Sequence, residues 1–344
     1  MREINVLKTG PANSIQDLGR FGHQRLGITQ SGPMDLVAFR TAQILLDNPD
    51  NAPMIELAGM GGDFRLGRNS SPVQFALTGA KFAASLNSTA IDLNRVYMLG
   101  IGDVLSIGAA QIGNYGYLAL RGGIDIEHVL GSSATHSRAG LGGHQGRTLR
   151  AGDQLSVGSA PKLAPVLIPS ASRSTAGIET IHVIQNPQSE MFTPASLDRF
   201  YTQVYSVTAK MDRMGVYLTG HPLSHRAGHD IISDGNPNGA IQIPGSGLPI
   251  VLLADRQPTG GYPKIATIIT ADLGRFAQLR GGQKLRFQPV SHAQALEKLR
   301  RVNTALENTP KLLVSAPDRK ESRLLSYNLI SGAISSGDTM PWED

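Results

Sequence analysis

Cysteine is absent from the 344-residue chain, which excludes a disulfide framework, a thiolate nucleophile and a cysteine-ligated zinc site. Long apolar runs are missing as well. The longest, "PIVLLA" at residues 249–254, is far short of the ~20 residues that cross a bilayer. The N-terminal "MREINVLKTG" carries charge and strand-like alternation where a signal peptide would carry an apolar stretch, so the expected location is cytoplasmic. Aromatic residues are scarce at 5%, and the net charge of +5 is spread along the chain. Without a dense Lys/Arg block or interleaved aromatics, neither nucleic acid nor a membrane is an expected partner.

What the chain does have is glycine, 39 residues of it, within a composition of 40% hydrophobic and 17% charged residues. That composition can bury a core, and the length exceeds that of a usual single domain. Glycine without a collagen period suits short strands joined by tight turns. The dominant hydrophobic period is two. "REINVLKTG", "VQFALTG", "YMLGIGDVLSIG", "YGYLALRGG", "TLRAGDQLSVG", "IHVIQN", "GAIQIPGSGLPIVLLADR" and "AQLRGGQKLRFQPV" read as strands bounded by turns. Helical spacing appears in "MDLVAFRTAQILLDN", "TPASLDRFYTQV" and "SHAQALEKLRRVNTALE". The fold class predicted is mainly β with a few short helices.

An internal repeat lies in the turns. "LGIGDVLSIG" (99–108) and "LRAGDQLSVG" (149–158) share Leu-x-x-Gly-Asp-x-Leu-Ser-x-Gly, and "LRGGQKLRF" (279–287) is a weaker third copy. Two related β domains account for it, with the Pro/Ser/Ala-rich stretch after residue 160 as their linker.

Familiar motifs fail on inspection. "GLGGHQGRT" has a misplaced first glycine and an arginine in place of the Walker lysine, and a strand pattern follows it where a phosphate loop needs a helix. His221, His225 and His229 recur every four residues, but Pro222 and Gly228 break the helix that would align them for a metal. No metal site is expected.

Polar clusters set in glycine-rich turns survive. "SIQDLGRFGHQRLGITQSGPMD" offers Asp17 and Arg20, then Ser31 and Asp35 at a helix start; "MDRMG" offers Asp212 and Arg213; "GAIQIP" offers Gln242. "ADRQPTGGYPK" offers Asp255, Arg256, Thr259, Gly260, Gly261 and Tyr262 where an apolar strand stops at charge. Each reads either as a ligand-binding group or as an ion pair that only organises the fold.

Taken in order, "SIQDLGR…SGPMD", "YLALRGGID…LGS", "GGHQGRTLRAGDQL", "DRMG", "GAIQIP", "LPIVLLADRQPTGGYPKIA" and "AQLRGG" resemble the biotin-dependent carboxyltransferase, or allophanate hydrolase subunit 2, family. Its members include KipA-type proteins and the C component of bacterial 5-oxoprolinase. The resemblance implies two tandem cyclophilin-like β-barrels, at residues 1–160 and 178–290, a linker at 161–177, and a helical, partly disordered tail at 291–344. It also implies a component of an ATP-dependent 5-oxoprolinase that opens 5-oxoproline to glutamate beside KipI-type and lactam-utilisation-type subunits. ATP, with Mg, would sit on this chain or on another subunit, and the isolated chain would be inactive. Two other functions fit the family: a carboxyltransferase acting on urea or a related amide with carboxybiotin, and a KipA-type regulatory binding module. No biotin-attachment sequence occurs in this chain.

Both family chemistries polarise an amide-like carbonyl and stabilise developing oxyanions. On that basis Asp255, Arg256, Asp212 and Arg213 are the expected catalytic residues. Gln242, Thr259, Gly260, Gly261, Tyr262, Asp17, Arg20, Ser31 and Asp35 are the expected substrate-binding ones. The sequence departs from the family pattern at Met211, Tyr217, Asp234 and Pro258, and the Tyr217 position commonly holds an arginine.

Overall fold

The computed structural model describes residues 2–169 and 177–315. Most of the expected linker's second half and the tail beyond residue 315 lie outside the described residues.

Nine strands form the first unit: β1 (Arg2–Thr9), β2 (Ser14–Gln16), β3 (Met54–Ala58), β4 (Gly62–Leu66), β5 (Val73–Leu86), β6 (Thr89–Ala90), β7 (Val96–Leu99), β8 (Val104–Leu120) and β9 (Gln154–Val157). Their order is β2-β3-β8-β4-β1-β9, with β5 lying along β8 and carrying β6 and β7. The sheet curls into a half-barrel because β5 and β8 pair through register shifts between Gly79 and Ala84, and bulges of this kind bend and twist a ladder. β8 runs unbroken where the sequence suggested two strands. Gly116 is tolerated within it because a Cβ there would strike the Phe82 ring. Alternation sets the buried face, as in β9, where Leu155 and Val157 are buried and Gln154 and Ser156 are exposed. Helix α1 (Leu36–Leu45) is capped by the Asp35 side chain, which accepts from the Ala38 N–H. It packs Phe39, Ala42 and Leu45 on the sheet beside Tyr117 and Ala119.

After the short β10 (Val166–Leu167), the second unit comprises β11 (Ile178–Gln185), α2 (Pro194–Thr202), β12 (Tyr205–Met211), β13 (Gly215–Thr219), β14 (Asp234–Gly235), β15 (Ala240–Gln242), β16 (Ile250–Leu252), β17 (Thr259–Gly260), β18 (Lys264–Ile268), α3 (Thr270–Ala277) and β19 (Lys284–Pro289). Seven of these strands close a barrel in the order β11-β18-β15-β16-β13-β12-β19, sealed by parallel pairing of β11 with β19. β14 and β17 form a separate two-residue flap. α2 is capped by Thr193, whose side chain accepts from the Ser196 N–H, with Pro194 in its first turn. The last helix, α4 (His292–Asn308), opens with a capping box of Ser291 and Gln294, and β20 (Val314–Ser315) pairs with β10.

The repeated turns are one structural device used three times. Asp103, Asp153 and Gln283 each accept, through a side-chain oxygen, the N–H of the residue three before: Gly100 at 2.7 Å, Arg150 at 2.8 Å and Arg280 at 2.7 Å. The glycine ahead of each, Gly102, Gly152 or Gly282, has a φ of 84, 95 or 87°. A type II turn requires such an angle at its third residue.

The two units share a core. Met34 and Tyr115, from the first unit, are buried in the barrel's own apolar cluster with Val216, Val251 and Phe276. Burying a side chain such as Met34 contributes roughly 1.5–3 kcal/mol, so the units are joined by apolar contact as well as by the polar seam below.

Candidate functional site at the seam between the units

The "SGPMD" loop of the first unit meets the "DRMG" and "ADR" segments of the second. Arg213 stands at the junction. Its guanidinium donates to both oxygens of Asp255, at 2.8 and 3.0 Å, to the Gly32 carbonyl at 2.8 Å, and to Glu56 of β3. Glu56 is 1% exposed. Its second oxygen accepts from the Met34 N–H and the Tyr117 hydroxyl, each at 2.8 Å. The Tyr117 oxygen in turn accepts from the Asp35 N–H. Both carboxylates and the guanidinium between them are thus bonded, as buried charges must be.

The electrostatics follow from this closeness. Burial alone would lower the Arg213 pKa, but the adjacent Asp255 and Glu56 carboxylates raise it above the ordinary arginine value. Burial pushes the Glu56 carboxyl up, against the opposing pull of Arg213, the Met34 N–H and the Tyr117 hydroxyl. The Tyr115 and Tyr117 phenols are raised too, by burial and then by Glu56.

Two further arginines lie buried near Asp255, Arg20 at 1% and Arg256 at 2% exposure. Arg20 donates to the Ala134 carbonyl at 2.6 Å and the Val129 carbonyl at 3.4 Å. Arg256 donates to the carbonyls of Asn236, at 2.7 Å, and Leu253, at 3.3 Å. Neither makes an ion pair with a carboxylate among the described residues. Burial lowers the pKa of both, that of Arg256 to about 10, partly offset by Asp255 and, for Arg20, by Asp17 first.

Beside Arg256, the Gln242 amide donates to the Asn236 side chain at 3.2 Å, and the Asn236 amide donates to the Gln257 carbonyl at 3.2 Å. Gly260 lies against both amides. A Cβ there would come within 2.7 Å of Gln242 Nε2 and 2.8 Å of Asn236 Nδ2, so only glycine lets the flap close this near. The flap is tied down by Asp234, which faces buried Lys264 at 3.2 Å and accepts from Gln188 at 2.8 Å.

The residues singled out in the sequence therefore divide. Asp17, Arg20, Ser31, Gln242, Gly260, Asp255, Arg256 and Arg213 gather at or beside the seam. Asp255 has both oxygens engaged by Arg213, which gives it an orienting part. Asp212 is exposed and caps its own turn, accepting from the Met214 and Gly215 N–H groups. Asp35 caps α1 and accepts from Gln278, binding the units together. Thr259 and Tyr262 are exposed, and Gly261 carries the chain between them, its carbonyl accepting from the Ile231 N–H. Glu56, Tyr117, Asn236 and Ser133 were not found from the sequence. A carboxylate inside the apolar strand "MIELA" was the available signal for Glu56, since β3 is buried on both faces.

No group of three or more His, Cys, Asp or Glu side chains is placed to hold a metal among the described residues, and none of the helices among them is long and apolar enough to cross a membrane. "GLGGHQGRT" runs through turns and precedes no helix, so it offers no helix-borne phosphate cradle.

A half-barrel and a closed barrel, locked by a buried Arg–carboxylate seam with two more buried arginines beside it, define a two-unit β protein. The chain belongs to the family described as "Carboxyltransferase domain, subdomain A and B", whose model matches residues 26–289. It is 37% identical over 308 residues to the C component of the Haemophilus influenzae 5-oxoprolinase, covering 87% of this chain and 95% of that protein. It is 33% identical over 304 residues to the protein of the same name from Escherichia coli K12, covering 86% of this chain and 93% of the other. Among solved structures, the K. lactis urea amidolyase superposes with a TM-score of 0.83 at 27% identity, covering 89% of this chain and 20% of that one.

Proposed function

We propose that the chain is the C component of a 5-oxoprolinase, opening the lactam ring of 5-oxoproline to glutamate together with partner subunits. The observation that carries the reading is the near full-length similarity to two proteins named as that component of 5-oxoprolinase, joined to a seam whose chemistry suits the task. Opening a lactam breaks the C–N bond, adds the oxygen of water to the carbonyl carbon and a proton to nitrogen. The carbonyl oxygen gathers charge on the way, and pre-placed donors in a buried site stabilise it.

Arg256 and the amide N–H groups of Gln242 and Asn236 are donors suited to the ring carbonyl, and the Gln242 amide oxygen is an acceptor suited to the ring N–H. Arg213, held by Asp255 and Glu56, ties the two units together beside these groups. Asp255 acts through Arg213 and is a positioning residue. ATP, with Mg, serves the complex in this reading, bound on this chain or on another subunit; a KipI-type and a lactam-utilisation-type subunit are the partners proposed. The chain alone is then inactive.

The test is reconstitution. The purified chain by itself should neither hydrolyse ATP nor open 5-oxoproline, and adding the two partner subunits should give ATP-dependent glutamate formation. Steady turnover by the lone chain, or none by the reconstituted complex, would sink the reading. A second reading, carboxyl transfer to urea or a related amide, is favoured by the superposition on urea amidolyase. It calls for urea-dependent decarboxylation of carboxybiotin in the same reconstitution.

A further inference from the structure

Three loops of the first unit are knotted together around Arg20. The Arg20 N–H donates to the Gln30 carbonyl at 2.8 Å, which lays residues 17–20 against 29–32. Asp17 accepts from the Ser132 hydroxyl and the Ser133 N–H, both at 2.6 Å, and Arg20 reaches the Ala134 carbonyl. Residues 132–134 are therefore stitched to the same place, and Gly142 packs against Arg20, with no room for a Cβ beside Nη2.

Within this knot four buried polar atoms make no hydrogen bond among the described residues: Arg20 Nη1, Thr29 Oγ1, Ser31 Oγ and Ser133 Oγ. Buried polar groups are nearly always bonded, and leaving one unmade costs ~1–3 kcal/mol, more when the group is charged. The neighbouring acid cannot serve them. Asp17 is already bonded to the Gly19 and Ser133 N–H groups and the Ser132 hydroxyl, and Asp255 is held by Arg213 on both oxygens. What this set lacks is an acceptor carrying negative charge. Ser31 is held there at a φ of 54°, an angle uncommon for a residue with a side chain. The loop at residues 21–28, exposed along most of its length, joins Arg20 to Thr29.

We propose that this knot is an oxyanion subsite that takes the carboxylate of the substrate, with Arg20 Nη1 and the hydroxyls of Ser31 and Ser133 as donors. The ligand's identity rests on the 5-oxoprolinase reading; the subsite itself does not. A free guanidinium amino group with neutral hydroxyls in the same knot, close to the charges of Asp17 and Asp255, matches a monoanion. A phosphoryl dianion would call for more positive charge and for a ring of backbone N–H groups. In 5-oxoproline the carboxylate and the lactam sit on one small ring, so anchoring the first at Arg20 would present the second to the Arg256–Gln242 side of the seam.

The test uses the Ser133 hydroxyl, which makes no hydrogen bond among the described residues. Ser133→Ala should leave the melting temperature unchanged or slightly raised. In the reconstituted complex it should raise the KM for 5-oxoproline roughly ten-fold, as expected for loss of a hydrogen bond to a charged group, while leaving the KM for the neutral carboxamide of 5-oxoproline where it was. Ser31→Ala should do the same, and Arg20→Lys should weaken the acid far more than the amide. Equal effects on acid and amide, or none, would overturn the subsite while the 5-oxoprolinase reading stood. Should the complex fail to turn over 5-oxoproline, acetate and inorganic phosphate decide the subsite on the full chain alone. Thermal protection by acetate that Ser133→Ala abolishes supports it. Protection by phosphate only, or by neither because a water fills the knot, overturns it.

Discussion

Asp255→Asn perturbs the seam at its centre. The substitution keeps the shape of the side chain and one acceptor oxygen, but removes the charge that meets Arg213 through two bonds of 2.8 and 3.0 Å. The Asp255 side chain is 10% exposed and that of Arg213 11%, so water cannot replace the lost partner. Removing one member of a buried pair typically costs ~3–5 kcal/mol. With Glu56 and the Gly32 carbonyl still bonded to Arg213, the low end applies, about 3 kcal/mol. At roughly 2–4 °C per kcal/mol, the melting temperature should fall by roughly 6–12 °C. Asp212→Asn is the control, since that carboxylate is exposed and caps only its own turn; its loss should be under about 1 kcal/mol. A double-mutant cycle with Glu56→Gln should show the two carboxylates coupled through Arg213. The readout is differential scanning calorimetry on the full chain, together with turnover of the reconstituted complex. An Asp255→Asn protein that melts within about 2 °C of wild type but loses ~10²–10⁴-fold in rate would refute the positioning role and make Asp255 a proton-transfer group.

Other outcomes follow from the same geometry. Asp153, bound by both Arg147 amino groups and the Arg150 N–H, has its pKa lowered, first by the Arg147 hydrogen bonds. Its stabilising effect is therefore present above the ordinary aspartate value of 3.8 and lost as the pH falls through the lower folded value; Asp153→Asn should flatten the acid limb of a melting-temperature profile and lower stability at neutral pH. Gly152→Ala meets open space but a φ of +95°, so it should cost only about 1–2 kcal/mol, whereas Gly143→Ala adds a clash with the Thr135 side chain and should cost more; chemical denaturation compares them. Gly260→Ala should raise the KM for 5-oxoproline in the reconstituted complex with little change in melting temperature, because the new methyl group displaces the Gln242–Asn236 pair rather than core; an unchanged KM would remove that pair from the binding site.

The sequence determined what depends on neighbours along the chain. Period-two alternation, the Thr193–Pro194 helix start and the Gly-Asp turns repeated at 102–103 and 152–153 are local devices with local physics, and each appears in the structure. So does the family, whose ordered motifs sit in these turns. Local signals failed where the element was short or the constraint came from afar. Helix α3, eight residues long with Gly274 inside it, is too brief to show a clear 3.6-residue period. β8 looked like two strands because the glycines that accommodate the bulged β5 resemble turn glycines until Phe82 is seen against Gly116. Only the tertiary structure decided which charges matter. Asp212 and Asp255 look alike in sequence, yet one faces water and the other faces a guanidinium 42 residues away. Glu56 and Arg213 meet across 157 residues, and Ser133 comes to the Arg20 knot through the Asp17 carboxylate 116 residues before it. The worth of a charge or a hydroxyl depends on the dielectric and the partners that folding supplies, and these are properties of the packed seam that no stretch of the chain carries alone.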